Sequence, residues 1–129
     1  MDIEETETIL WQLLALPHET EWVKFKENKA DPEEIGEYVS ALANGASLHD
    51  RPTGYLVWGV ADRSHEITGT TFQPRVARVG NEGLEGWLVR LLEPRLDIRF
   101  HELREEEKWV VILEIPACHY QPVRFKTTD

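Results

Sequence analysis

The sequence contains a single cysteine, Cys118, so an internal disulfide is excluded, and that scarcity fits a reducing compartment. No stretch approaches the roughly 18 apolar residues of a membrane span. Residues 1–20 also lack the basic start and apolar run of a signal peptide. A soluble cytoplasmic protein with no membrane partner is expected. A phosphate-cradling loop is missing too: Gly54, Gly59, Gly69, Gly80, Gly83 and Gly86 are too scattered, which leaves an ATPase reading without support. Zinc spacing is absent, because Cys118-His119 stands alone and His18, His49, His65 and His101 follow no ligand pattern. Basic residues are in deficit, 14 against 24 acidic ones, for a net charge of −10. A protein that grips polyanions usually shows a basic face, since counterion release supplies much of the affinity. The acid is uneven, however. Asp2, Glu4, Glu5 and Glu7 crowd the N-terminus and Glu102, Glu105, Glu106 and Glu107 crowd one predicted turn, so a local basic surface is compatible with the rest.

What is present is enough for one domain. The 129 residues, 41% of them hydrophobic, can bury a core without disulfides or metals. The centre of the pattern lies between Asp31 and Asp62. Asp31 is a good N-cap, Pro32 suits the first helical position, and Glu34 completes a capping box. Ile35, Val39, Leu42 and Ala43 then recur at helical spacing, and Asn44-Gly45 reads as a helix stop. A polar loop from Ala46 to Thr53 follows. The run Gly54-Tyr55-Leu56-Val57-Trp58-Gly59-Val60 is continuously apolar, as in central strands covered on both faces, and it ends at the acid Asp62.

Around this centre, Thr8 is expected to cap a helix carrying Ile9, Leu10, Leu13 and Leu14 that ends before Pro17. Trp22 to Lys26 suits a short strand. Glu66 to Thr70 reads as a hairpin partner of the central strand, and Phe72 to Gly80 as irregular. A helix is expected from Asn81 or Glu82 to Pro94, with Leu84, Trp87, Leu88, Leu91 and Leu92 on one face. Strands follow over Ile98–Leu103 and Trp109–Ile115, and Val123-Arg124-Phe125 adds a short one. The order α-β-α-β-β-α-β-β predicts an α+β fold, helices packed on a mixed sheet in one domain over residues 1–129. The chain stops directly after a strand, so it is expected to be the N-terminal part of a longer protein with downstream domains.

The residues with the most chemical promise are acids at strand ends. Glu19 and Glu21 precede the first strand and Asp62 follows the central one; if they converge, they form a site for Mg²⁺ or Mn²⁺ that orients a phosphodiester and activates water. Lys24 and Lys26 would then neutralise phosphate charge. Acids at strand ends are more often simply solvated. Trp22 and Tyr55 offer stacking surface if they are not core. Arg75 and Arg78, with Arg90, Arg95 and Arg99, make a looser candidate patch for phosphates.

Two segments together resemble a known family. Glu19-Thr20-Glu21-Trp22-Val23-Lys24-Phe25-Lys26 is similar to the opening motif of the Schlafen AlbA-like domain. Ile35 to Asn44 followed by Gly54 to Asp62 resembles its signature of helix, Ala-Asn, loop, Gly-rich strand and acid. Ile67-Thr68-Gly69-Thr70, Leu113-Glu114-Ile115-Pro116 and Pro122-Val123-Arg124-Phe125 add weaker likeness. The resemblance implies a nucleic-acid-binding, chiefly DNA-binding, regulatory domain of a transcriptional regulator or helicase-related protein. Animal relatives cut RNA with three acids. Carried over to this chain, the first acid falls on Glu19 and the third on Asp62, while the second falls on Lys24, which is not an acid. Three classes therefore stand side by side: a nucleic-acid-binding module, a metal-dependent nuclease with an altered triad, and a protein-interaction or homodimerisation domain.

Overall fold

The computed structural model describes residues 2–17 and 20–126. In chain order the elements are α1 (Ile3–Leu14), β1 (Val23–Lys26), α2 (Pro32–Leu48), β2 (Thr53–Trp58), β3 (Arg78–Val79), β4 (Glu82–Gly83), α3 (Leu84–Leu91), β5 (Leu92–Glu93), β6 (Arg99–Glu105), β7 (Lys108–Pro116) and β8 (Arg124–Phe125). The fold is α+β, as expected. Its main sheet has the order β1-β2-β7-β6, parallel between β1 and β2 and antiparallel elsewhere, while β3-β4 and β5-β8 form two small ribbons.

Local chemistry sets the helix starts. Asp2, rather than Thr8, caps α1 by accepting from the Glu5 N–H at 2.8 Å, and Glu4 and Glu5 in the first turn complement the helix dipole. The Thr8 hydroxyl instead donates back to the Glu4 carbonyl inside the helix. Asp31 caps α2 as expected, accepting from the Glu34 N–H at 3.1 Å with Pro32 just inside.

The end of α2 differs from expectation. The helix runs through Asn44-Gly45 to Leu48, so the long loop shrinks to residues 49–52. Tertiary contacts override the stop signal. Asn44 spends its side chain on a distant segment: Nδ2 donates to the Val123 carbonyl and Oδ1 accepts from the Val123 N–H, each at 2.8 Å. Gly45 is where the backbone of Glu21 presses on the helix.

The continuous apolar run does mark the central strand. Leu56, Val57 and Trp58 are fully buried, with β1 on one side and β7 on the other. Two core layers result. On one face α2 and α3 cover Leu56, Trp58, Val111, Leu113 and Ile115. On the other, α1 brings Leu10 and Leu13 onto Val23, Phe25, Val57 and Ile112. The buried Trp58 indole donates to the Lys29 carbonyl at 2.9 Å. Among the described residues no buried side-chain nitrogen or oxygen lacks a partner. The expected hairpin strand at Glu66–Thr70 is reduced to a single bridge, Val60 to Ile67. Its place beside β2 is taken by β7, in the register Tyr55 to Glu114 and Trp58 to Val111. No helix among the described residues is long and apolar enough to cross a membrane.

Candidate functional site

β1 is one edge strand of the main sheet, and its alternation sorts charge from core. Val23 and Phe25 are buried on the α1 side, so Lys24 and Lys26 project toward the other face. The Lys26 ammonium hydrogen-bonds Glu34 near the start of α2 and lies 5.0 Å from the Tyr38 ring centroid. That hydrogen bond holds the Glu34 carboxyl below the usual glutamate range, against an opposing effect of burial, and Lys29 at 3.8 Å adds to the lowering.

Asp62 reaches this edge through a tight exit from β2. Gly59 has φ +96°, and its N–H donates to the carbonyls of Lys26 and Glu27 at 2.8 and 3.0 Å. A side chain there would meet the Trp109 carbonyl oxygen at 2.8 Å, so glycine suits both the dihedral and the space. The chain then turns, the Ala61 N–H donating to the Glu66 carbonyl at 2.9 Å and the His65 N–H to the Ala61 carbonyl at 3.0 Å. Asp62 lies in that turn, four residues beyond the end of β2.

The structure thus brings together Lys24 and Asp62, which are 38 residues apart: Nζ lies 3.3 Å from Oδ2, with the side chains 24% and 44% exposed. A pair this open contributes at most about 1 kcal/mol. Its chemical meaning is larger. A divalent cation needs several carboxylate oxygens free to face it, and here an ammonium already occupies an Asp62 oxygen. Among the described residues no three His, Cys, Asp or Glu side chains gather where they could hold a metal ion. At this point the described residues supply one carboxylate, Asp62, beside the Lys24 ammonium. Glu19 lies outside the described residues. Glu21 does not join Asp62; it is exposed and meets His49 Nε2 at 2.8 Å.

Lys24→Glu tests this arrangement. It replaces an attraction with two facing carboxylates, and a loss of about 1 kcal/mol, roughly 4 °C in Tm, is expected in chelator. Added Mn²⁺ should restore the variant and leave the wild type unmoved in a thermal melt. Equal Mn²⁺ stabilisation of both proteins would place a cation site elsewhere.

The remaining candidates are dispersed. Trp22 and Tyr55 are half-buried against the α1-side core, and Arg51 lies over the Trp22 ring at 4.1 Å. Burial, with Glu114 opposite on β7, pushes the Tyr55 hydroxyl above its ordinary pKa. Arg75 pairs with Glu102 at 2.8 Å, Arg78 donates to the Asn81 carbonyl, Arg90 pairs with Glu82 and Arg99 with Asp97. Each of these arginines is held by its own neighbour. Two features escaped the sequence reading. Asn28 Oδ1 accepts from the Thr70 hydroxyl and the Thr71 N–H at 2.7 and 2.9 Å, tying residues 70–71 to the end of β1. Trp109, expected within a strand, is half exposed. Only its alternation with Val111, Leu113 and Ile115 hinted that it lies on the same face, one step beyond their cover.

Comparison with known proteins matches the fold to solved structures. The N-terminal domain of a protein related to the ATP-dependent DNA helicase RecG, from Nitrosomonas europaea, aligns with a TM-score of 0.62 at 20% identity, covering 95% of this chain and 80% of that one. The DIP2311 protein from Corynebacterium diphtheriae aligns with a TM-score of 0.54 at 20% identity over 97% of this chain. The chain spans only 23% of the length of the DIP2311 protein. At such identities these likenesses establish the fold. No curated protein matches at a significant level. The model of the family described as Schlafen, AlbA_2 matches residues 19–129, nearly the whole chain including both signature segments, and the protein belongs to that family.

Proposed function

We propose that this domain binds nucleic acid, with DNA the first candidate, as a regulatory module of a longer transcriptional-regulator or helicase-related protein. The observation that carries the reading is the Lys24–Asp62 pair. An ammonium stands where the family resemblance asks for an acid, which suits holding a phosphate better than cutting one. Lys26 and Lys29 follow within five residues, so three of the five lysines of an acidic chain gather at one sheet edge. The Lys24–Asp62 and Lys29–Glu34 pairs are partly exposed, so phosphate oxygens can displace their carboxylates at small cost, whereas the Lys26 side chain is only 12% exposed and stays with Glu34. The likeness to a domain of a RecG-related protein supports the same class of ligand.

Fluorescence anisotropy with labelled single- and double-stranded oligonucleotides tests it. Two lysine–phosphate contacts imply that affinity falls roughly 7- to 12-fold as salt rises from about 50 to about 200 mM. Lys29→Ala should lower the magnitude of the log–log salt slope by roughly one contact. Absence of binding at the lower salt overturns the reading. The same incubation with Mn²⁺ separates out the nuclease alternative, which the position of Asp62 favours. Shortening of the oligonucleotide that requires Mn²⁺ and disappears in Asp62→Ala would replace a binding module by an enzyme.

A further inference from the structure

Trp109 is 48% exposed on a face of the sheet where Val111, Leu113 and Ile115 are fully covered. Beside it the chain from Thr70 to Arg75 runs along the sheet and is fixed at several points. The Thr70 N–H donates to the Trp109 carbonyl at 2.9 Å, Asn28 holds Thr70 and Thr71, and Phe72 packs on Trp58 with ring centroids 4.7 Å apart. Between this segment and the sheet lies a cavity of about 280 Å³. Phe72, Val111 and Trp109 give it an apolar lining, and Thr70, Thr71, Gln73, Glu102 and Arg75 a polar one. Arg75, 80% exposed, stands at the mouth with its Nε 2.8 Å from Glu102, whose side chain is only 18% exposed. The Arg104 guanidinium lies 5.8 Å from the Trp109 ring centroid.

These features select a ligand chemistry. The volume is just below the roughly 300–1,000 Å³ of sites for drug-sized molecules, so it suits one ring system. An indole wall rewards a flat aromatic ring. A recessed carboxylate and a carboxamide offer an acceptor for an amino group and both partners for an amide edge. Two exposed guanidinium groups nearby suit an anionic backbone. Asn28 lies between Lys26 and Lys29 in the chain and holds the rim of this cavity, so the lysine edge and the pocket adjoin.

We propose that the pocket receives one unpaired base of a single-stranded nucleic acid. The base stacks on Trp109 with its edge toward Glu102 and Gln73, and Arg75 meets the neighbouring phosphate. This rests on the binding reading above and adds that the ligand is single-stranded at one position at least.

The test uses the whole chain with an oligonucleotide carrying 2-aminopurine, as DNA and as RNA of the same sequence, together with the DNA duplex. Single-strand binding by the wild type should quench 2-aminopurine. Trp109→Ala should weaken it roughly 10- to 100-fold while duplex affinity and salt slope stay put, and Trp109→Phe should retain most of the affinity. The preferred backbone then assigns DNA or RNA. Wild-type single-strand affinity with Trp109→Ala overturns the pocket and leaves the binding module standing. Equal losses for single strand and duplex also overturn it. No binding of any oligonucleotide by the wild type overturns both.

Discussion

Gly45→Ala is expected to destabilise the protein by at least about 3 kcal/mol, or to prevent folding, as read by urea denaturation. The direction runs against intrinsic propensity, because alanine in a helix interior is favoured over glycine by about 1 kcal/mol. Packing decides the sign. A Cβ at position 45 would lie 1.9 Å from the Glu21 carbonyl oxygen and 2.7 Å from its carbonyl carbon, far inside the ~3.5 Å at which such atoms stop attracting and start to repel. The obstructing atoms are main chain, so no rotamer change relieves the overlap. They are also tethered: Thr20 bridges to Val23, the Trp22 carbonyl accepts from the Tyr55 N–H at 2.9 Å, and Val23 begins the parallel pairing with β2. Either α2 or the lead-in to β1 must move, and the second choice displaces Lys24 and Lys26. Gly86 in α3 is the control, since a Cβ there meets nothing within 4 Å. Gly86→Ala should stabilise by about 0.5–1 kcal/mol. Two substitutions of the same kind should thus move the denaturation midpoint in opposite directions. A Gly45→Ala protein as stable as the wild type would refute the close approach.

The start of α2 and the central strand were legible because their causes are local, whereas α1 starts at Asp2 rather than Thr8 and α3 at Leu84 rather than Asn81 or Glu82. The Asp31-Pro32 cap needs only its own backbone, although the Glu34 carboxylate meets Lys26 instead of closing the expected capping box, and the apolar run through Trp58 is buried as its composition demands. The end of α2 was not legible, because Asn44-Gly45 has the composition of a helix stop while serving two contacts with residues far away in sequence, Val123 and Glu21. The partner of β2 was misread for a related reason. Glu66–Thr70 is near in sequence and has strand-like residues, but β7, more than fifty residues on, supplies the longer apolar surface. Of the site, alternation along β1 and the acid beyond β2 pointed to Lys24 and Asp62. Their meeting depends on the turn at Gly59, whose hydrogen bonds reach back to Lys26 and Glu27. The partner of Glu21, His49, followed from the unforeseen extension of α2. The Trp109 pocket needs β7, residues 70–75 and Asn28 at once, and no window of sequence contains all three.

Asn44→Ala is expected to cost roughly 2–5 kcal/mol, the second large loss. Its side chain satisfies both backbone groups of Val123, a residue only 3% exposed. Each buried group left unpaired costs about 1–3 kcal/mol, against a gain in helix propensity of at most about 0.7 kcal/mol. Asn44→Asp should be no better: it keeps an acceptor for the Val123 N–H but sets a carboxylate against the Val123 carbonyl. The damage begins locally. Val123 leads into β8, which pairs Phe125 with Leu92 and Arg124 with Glu93, and the Lys126 N–H donates to the Leu91 carbonyl at 2.8 Å. Hydrogen exchange at Val123 should therefore accelerate more than at the β2 and β7 amides, and wild-type protection there would refute the clamp. The outcome also bears on function. If the Ala-Asn part of the family signature anchors β8 and the adjoining glycine seats β1, that part of the signature marks a fold rather than a reaction. Oligonucleotide affinity of Asn44→Ala, measured in the cold where the domain stays folded, should then remain near that of the wild type, while Lys29→Ala and Trp109→Ala, which leave the anchor intact, should not.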